Sequence, residues 1–482
     1  MADEPTPLDA LRSVWGAAGG DPGDLDHVTI EGTDPVYPSP FRVGTLAAAS
    51  VAGAALAAAR VWHERTGRWQ RATVSMRHAA AAFRSERYLR VEGAMAEDLW
   101  DPFSGYYRTA DDRWVQLHTN FPHHRERALR TLGLDAAKTT DRADAERAML
   151  AWNSQAFEDA LAEAGGCGYL ARTPEEWRAH PQARALASLT PIDIEVIGKA
   201  PSRAFAADAS MPLSGVRVLD MSRVVAGPVA GRTLAAYGAD VIRMGAAHRA
   251  DVIRMGAAHL PEMALLVIDT GFGKRFVHLD LRTSSDRARF EALVASVDVV
   301  VQAYRPGALD ALGYGPDDLA RLRPGVVVVS LSAWSHEGPW AGRRGFDSLV
   351  QTASGIVMEG TAWARSERPM PLPAQALDHA TGYLAAMGAM LALAQQAEQG
   401  GSRRVRVALA RTRTWLDGLG RVDGAGVADP KASDVVDLTQ EMASDFGRLR
   451  FITPPGSLDE TPPRWTRPPG RPGAEPRWSL TT

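Results

Sequence analysis

The sequence predicts an α/β chain: a doubly wound parallel-sheet domain over 212–425, joined to a second, smaller α+β domain over 100–200. Three observations lead there. Short strand-like stretches carrying Val, Ile or Leu at 216–220, 240–243, 297–301 and 326–331 alternate with helical stretches such as 230–237. Strands that alternate with helices form a parallel sheet, whose ligand sits at the carboxyl ends of the strands. By contrast, 106–117 alternates like a hairpin and is followed by helical stretches through Glu176, the pattern of a mixed domain. The chain of 482 residues is long enough for two or three domains, each with a sizeable core.

From the amino end, residues 1–99 make an N-terminal region. No basic segment or long apolar core stands before Leu8, so no export signal is expected. The Ala-rich run 46–59 is interrupted by Ser50 and Gly53 and falls short of the roughly 20 residues that cross a bilayer, so it is expected to be a buried helix. Segments 44–76 and 377–409 superpose without a gap, each an Ala-rich helix, a Gly-bearing turn and an alternating strand. The same piece of structure is therefore expected twice, with Thr45 opposite Asp378, so that the first copy lacks the carboxylate. A linker is expected at 200–210. Asp-Val-Ile-Arg-Met-Gly-Ala-Ala-His occurs at 240–248 and again at 251–259. Two identical copies cannot occupy one strand slot, so one is expected to be extruded. Residues 426–482 make a proline-rich C-terminal tail, whose stretch from Thr453 is expected to wrap the surface without forming a core.

Composition narrows the chemistry. A net charge of -3 with 23% charged and 45% hydrophobic residues excludes a polyanion or membrane-surface specialist, so neither nucleic acid nor membrane is expected as a partner. A single cysteine, Cys167, fits a reducing compartment, and a cytoplasmic location is expected. Asp378 stands where an irregular Pro-bearing stretch becomes an Ala-rich helix; free N–H groups and the helix dipole there would keep a carboxylate ionised and nucleophilic. The plainer reading is a helix cap. The loop 220–228 lies between strand and helix, where N–H groups can receive an anion, but Gly227 and Gly231 lack the dinucleotide spacing. Cys167, with no histidine near it in sequence, reads as a buried thiol. His123 and His124 are adjacent, cannot share one helical face and complete no metal site, so no metal is expected. Arg403, Arg404 and Arg406 read as a solvated face.

Residues 212–228, with 237–242, 273–282, 304–313, 344–351 and the Asp378 segment, resemble the family III coenzyme A transferases over about 212–415. The resemblance implies a Rossmann-like CoA-binding catalytic domain, with Asp378 as the nucleophile that forms anhydride and aspartyl-CoA thioester intermediates. It implies that Val225, Ala226, Leu279, Arg282, Ala303, Tyr304, Arg305, Arg344 and Asp347 hold coenzyme A. It also implies a CoA thioester as substrate with no tightly bound cofactor, a carboxylate acceptor, and a homodimer of interlocked protomers. Stretches 107–114 and 172–182 resemble the family's smaller domain, which normally follows the catalytic half. Here it precedes it, so the order is permuted.

Transfer of CoA to a carboxylate is the leading expectation, with N–H groups near Val225 and Gly382 stabilising the oxyanion. The rival is an α-methylacyl-CoA racemase, which pairs the aspartate with a histidine; Phe346 stands at that place, leaving His379 as the nearest substitute. A third reading, a catalytically impaired CoA-binding subunit, follows from Thr45 and the repeat at 240–259.

Overall fold

The computed structural model describes residues 5–95, 100–138, 141–246 and 264–471, with 473, 475 and 477–479. Its centre is a seven-stranded sheet of β1 (Ile192–Gly198), β2 (Arg217–Met221), β3 (Asp240–Ala246), β4 (Lys274–Leu279), β5 (Val299–Gln302), β6 (Val327–Ser332) and β7 (Ser402–Ala408). The order is β4-β3-β2-β5-β6-β7-β1. Neighbours are parallel except for the antiparallel β7/β1 edge. Runs of valine make β5 and β6, and every residue in both is buried, as in a sheet covered on both faces. The order reverses at β2, which has β3 on one side and β5 on the other, so the connections leaving β2 and β5 diverge and open a crevice.

Strand β1 corrects the expected boundary of the small domain, because it returns from that domain to the edge of the large sheet. Its acidic residues explain the return. Asp193 and Glu195 face Arg406 and Arg404 of β7 as ion pairs, Arg406 Nε lying 3.1 Å from Asp193. These arginines are thus half-buried cross-strand partners. Arg403 is buried and donates to Gln399 at 2.9 Å. None of the three forms the expected solvated face.

The small domain carries three antiparallel strands, Gly105–Arg108, Trp114–Leu117 and Gly168–Leu170, with the first two forming the expected hairpin. Phe103, Tyr107, Val115, Leu129 and Phe157 give it a core of its own.

The duplicated segment is present in the expected register. Helices α1 (Val43–Thr66) and α4 (Ala376–Gln399) have 24 residues each and start from the same backbone conformation, φ −78, ψ 62 at Arg42 and φ −76, ψ 61 at Gln375. Gly67 and Gly400 end them at φ 70 and φ 72. The two helices cross face to face. Gly53 makes this approach fit, since a Cβ there would lie 2.6 Å from Met387 Sδ. By length and composition α1 could span a bilayer, and in this fold it is almost wholly buried. Neither helix is capped by a neighbouring side chain. Asp34 accepts from the N–H groups of Gly44 (3.0 Å) and Thr45 (2.6 Å), while Asp347 accepts from that of Asp378 (2.7 Å). Both copies therefore keep an aspartate cap brought in from elsewhere in the chain.

Residues 240–246 of the first copy of the nonapeptide form β3; its last two residues and the second copy, at 251–259, lie outside the described residues. Before Thr453 the tail folds onto the body of the molecule. Thr439–Ser444 and Gly447–Ile452 form a hairpin, and Leu449 and Phe451 pack on Leu89 and Phe272. The alternation of 447–452 buries one face, so this part of the tail does form core.

Candidate active site

A cavity of about 330 Å³ opens at the carboxyl ends of β2, β5 and β6, where the reversal of strand order predicts it. Phe121, His123 and His124 of the small domain close it from the opposite side. Four arginines, Arg223, Arg305, Arg343 and Arg344, line it together with one carboxylate, Asp378.

Asp378 is the third residue of α4 and 7% exposed. It is not the helix cap. That task falls to Asp347, the first residue of α3 (Asp347–Ala353), whose carboxylate accepts from Asp378 N–H, Leu377 N–H and the side-chain amide of Gln351. The free N–H groups at the start of α4 are thus taken by Asp347, and Ala226 N–H is what favours the Asp378 anion instead. Burial, then the Asp347 charge, pushes Asp378 well above the usual carboxylate range. Burial likewise pushes Asp347 up to about 7. The expectation that a helix start keeps Asp378 ionised is therefore corrected: the dipole is engaged by its neighbour, and the interior opposes a second charge.

Ala226 begins helix α2 (Ala226–Ala236), whose first N–H groups have no partner within the helix. The loop that places them is braced from below. Buried Lys274 Nζ donates to Asp220 Oδ2 and to Pro228 O, both at 2.7 Å, and Asp220 Oδ1 accepts from Ser222 N–H at 3.0 Å. Burial pulls Lys274 down to about 8 against the attraction of Asp220. Val224, which lines the cavity, is held at φ 72, a strained conformation for a β-branched residue. Gly382 is not an oxyanion donor. It lies inside α4, where its N–H belongs to the helix, and its missing side chain admits α2: a Cβ would stand 2.5 Å from Ala226 O.

Of the residues expected to hold coenzyme A, Ala226, Ala303, Tyr304, Arg305 and Arg344 line this cavity with Asp378. Val225 is buried at the start of α2 behind the wall. Asp347 is buried beneath it, engaged with α4. Leu279, at the end of β4, and Arg282, paired with Asp280 at 3.1 Å, are not among the described lining residues. The sequence reading missed Arg223, Arg343, Ser332 and the small-domain aromatics. Arg223 carried a signal, since it lies in the 220–228 loop already singled out, and Arg343 directly precedes the 344–351 segment. His123 and His124 carried none, because their helix (Pro122–Thr131) presents its amino end to the cavity, where adjacent residues can both reach. His124 Nε2 also sits 3.7 Å from Cys167 Sγ, so a histidine does lie beside that thiol. Burial raises Cys167 to about 12, which leaves it protonated and unreactive. His379 turns away from the cavity, its Nε2 3.3 Å from Glu86 Oε2.

The His118 ring stacks on Phe346 at 3.7 Å between centroids. Burial lowers His118 to about 3 and His124 to about 2, so both are neutral in the folded chain. An unfolded histidine protonates near pH 6.5. The unfolded chain thus binds more protons below that value, and the stability present above it is lost as pH falls toward the folded values, by up to about 1.4 kcal/mol per pH unit for each ring. Urea unfolding between pH 7 and pH 5 is expected to show this slope, and His118→Gln to flatten it. An unchanged slope in that variant rejects the assignment.

The site is thus a buried carboxylate in an arginine-walled crevice at strand ends. Residues 23–211 and 213–419 match the model of CoA-transferase family III, and the chain belongs to that family. It is 34% identical over 201 residues to the probable fatty acyl-CoA transferase Rv3272 of Mycobacterium tuberculosis, a match covering 41% of this chain and 50% of the relative. It is 30% identical over 198 residues to formyl-CoA:oxalate CoA-transferase of Afipia carboxidovorans, covering 41% and 46%. The orthorhombic crystal structure of the Mycobacterium tuberculosis protein aligns with 44% of this chain and 58% of its own, at 32% identity and a TM-score of 0.39. The chain spans about half the length of these curated relatives.

Proposed function

We propose that this chain transfers coenzyme A from an acyl-CoA to a carboxylic acid through covalent intermediates on Asp378, at the switch point of a doubly wound, Rossmann-like sheet. The observation that carries this is the single carboxylate among four arginines in the cavity lining. Arginine binds phosphate and carboxylate with charge-assisted bonds, which suits both a CoA thioester and an acid acceptor. Family membership and relatives named for CoA transfer support the same reading.

Ionised Asp378 attacks the thioester carbonyl, and the carbon–sulfur bond breaks to give a mixed anhydride and CoA thiolate. The thiolate then attacks the Asp378 carbonyl, releasing the donor acid and leaving aspartyl-CoA. The acceptor carboxylate attacks this thioester, forming a second anhydride and freeing the thiolate, which attacks the acceptor carbonyl to give the new acyl-CoA and restore Asp378. Ala226 N–H, which favours negative charge on the Asp378 carboxyl, stabilises the oxyanion in the steps at that carbon. Incubation with a panel of acyl-CoAs, read by intact mass for aspartyl-CoA and by chromatography for exchanged thioesters, tests the reading. No adduct and no exchange with any donor would sink it.

The racemase reading makes a different demand. It needs a second acid-base group opposite Asp378, and Phe346 cannot carry a proton, while His124 is too weakly basic to accept one near neutrality. With 2-methylacyl-CoA in deuterated water, no solvent deuterium is expected at the α-carbon above background. Rapid uptake abolished by Asp378→Ala would overturn this expectation and point to His123, which lines the same cavity.

A further inference from the structure

Resting on the transferase reading, we propose that Asp347 is a positioning residue for that reaction: its carboxylate anchors the backbone of the nucleophile, and its charge beside that anchor keeps the Asp378 carboxyl protonated, so that transfer begins only when this proton has left. Asp347 is 1% exposed. Its oxygens meet only N–H donors: Asp378 N–H at 2.7 Å, Leu377 N–H and the Gln351 amide, itself fixed by Leu372 N–H at 2.7 Å and Ala374 O at 3.2 Å. Such surroundings suit an anion. Ala226 N–H favours the Asp378 anion, but the Asp347 charge, one hydrogen bond from the Asp378 backbone, opposes it, and two such buried carboxylates do not both ionise readily. The proton therefore rests on Asp378, the partner served by fewer donors, and a protonated carboxyl is a poor nucleophile.

The first copy of the repeat supplies an internal control. Asp34 caps α1 through Gly44 and Thr45 as Asp347 caps α4, but there the residue beside it is an uncharged threonine. An aspartate in this place is a helix cap in both copies, and in the second alone the residue it caps carries a carboxylate of its own. Other charges near Asp378 come from the remaining packed elements. Glu86 lies close by with His379 at 3.3 Å, and Arg232 pairs with Asp269 at 2.6 Å behind them. Arg223, Arg305, Arg343 and Arg344 line the cavity side. Burial and the charges of Asp347 and Glu86 raise Asp378, while Ala226 N–H opposes them.

Single-turnover formation of aspartyl-CoA, followed against pH in the wild type, Asp347→Asn and Asp34→Asn, tests the proposal. Asparagine keeps one acceptor for the helix end and removes the charge. The wild-type acid limb is expected above the ordinary carboxylate range, and Asp347→Asn to move it to lower pH by roughly 1 to 3 units, the size of a close charge effect. Asp34→Asn, with a similar structural loss, is expected to lower the melting temperature and leave the limb in place. A limb unmoved by Asp347→Asn, or moved equally by Asp34→Asn, overturns the proposal. Should Asp347→Asn fail to fold, infrared titration decides: a protonated-carboxyl band that titrates above the usual range in the wild type and is missing in Asp378→Asn is expected, and its absence overturns the pairing. Failure of the wild type to form aspartyl-CoA at any pH would instead reject the transferase reading, with the infrared measurement still judging the pair.

Discussion

Asp378→Ala is expected to lower CoA transfer by about a thousandfold or more, because every bond exchange in the cycle passes through that carboxylate and no other carboxylate lines the described cavity. The fold should survive. Asp378 is not the cap of α4, and its removal relieves an interior that opposes a second charge beside Asp347. Circular dichroism and a melting temperature equal to or above that of the wild type would show this. With an acyl-CoA donor, hydroxylamine or borohydride should mark the wild-type peptide containing Asp378 and leave the variant unmarked. Full activity in the variant, or a mark on another peptide, rejects the role.

Lys274→Met is expected to cost about 3 to 5 kcal/mol of stability, the usual consequence of leaving one partner of a buried ion pair without the other. Lys274 and Asp220 are 2% and 0% exposed and 2.7 Å apart, and the lysine also holds Pro228 O in the first turn of α2. The loss should therefore reach the site as well, since the same ammonium steadies the loop that aims Ala226 N–H. Chemical denaturation measures the first effect and single-turnover acylation the second. The double variant Lys274→Met with Asp220→Leu is expected to recover part of the stability, because no charge is then left unpaired. A loss below about 1 kcal/mol in the single variant would show that the pair is hydrated and does not brace the loop.

The parallel strands were legible because 297–301 and 326–331 carry runs of buried valine and 216–220 carries buried Val216, Val218 and Leu219, a pattern that needs no partner to be recognised. The repeat was legible for a related reason: two helices of equal length start and stop on the same signals, down to the glycines at 67 and 400. What escaped was relational. The place of β1 depends on Asp193 and Glu195 finding arginines two hundred residues later, and the hairpin after 439 depends on Leu89 and Phe272. At the site, the aspartate and the arginines of one stretch could be named, but the wall built by Phe121, His123 and His124 comes from a helix end that no periodicity in that helix reveals. The environment of Asp378 was misjudged on the same ground. A local reading assigns the helix dipole to the nearest carboxylate, and here a residue 31 positions upstream takes it.

That distance also bears on the order in which the molecule assembles. The cap of α1 comes from Asp34, 10 and 11 positions before the N–H groups it binds, whereas α4 waits for a residue 31 positions away. Closing the longer loop costs about 1 kcal/mol more in chain entropy, and contacts of greater sequence separation form more slowly. The inert copy is therefore the natural nucleus, a template on which its reactive twin docks late. In a kinetic experiment, acylation competence should return after most helical signal has been regained.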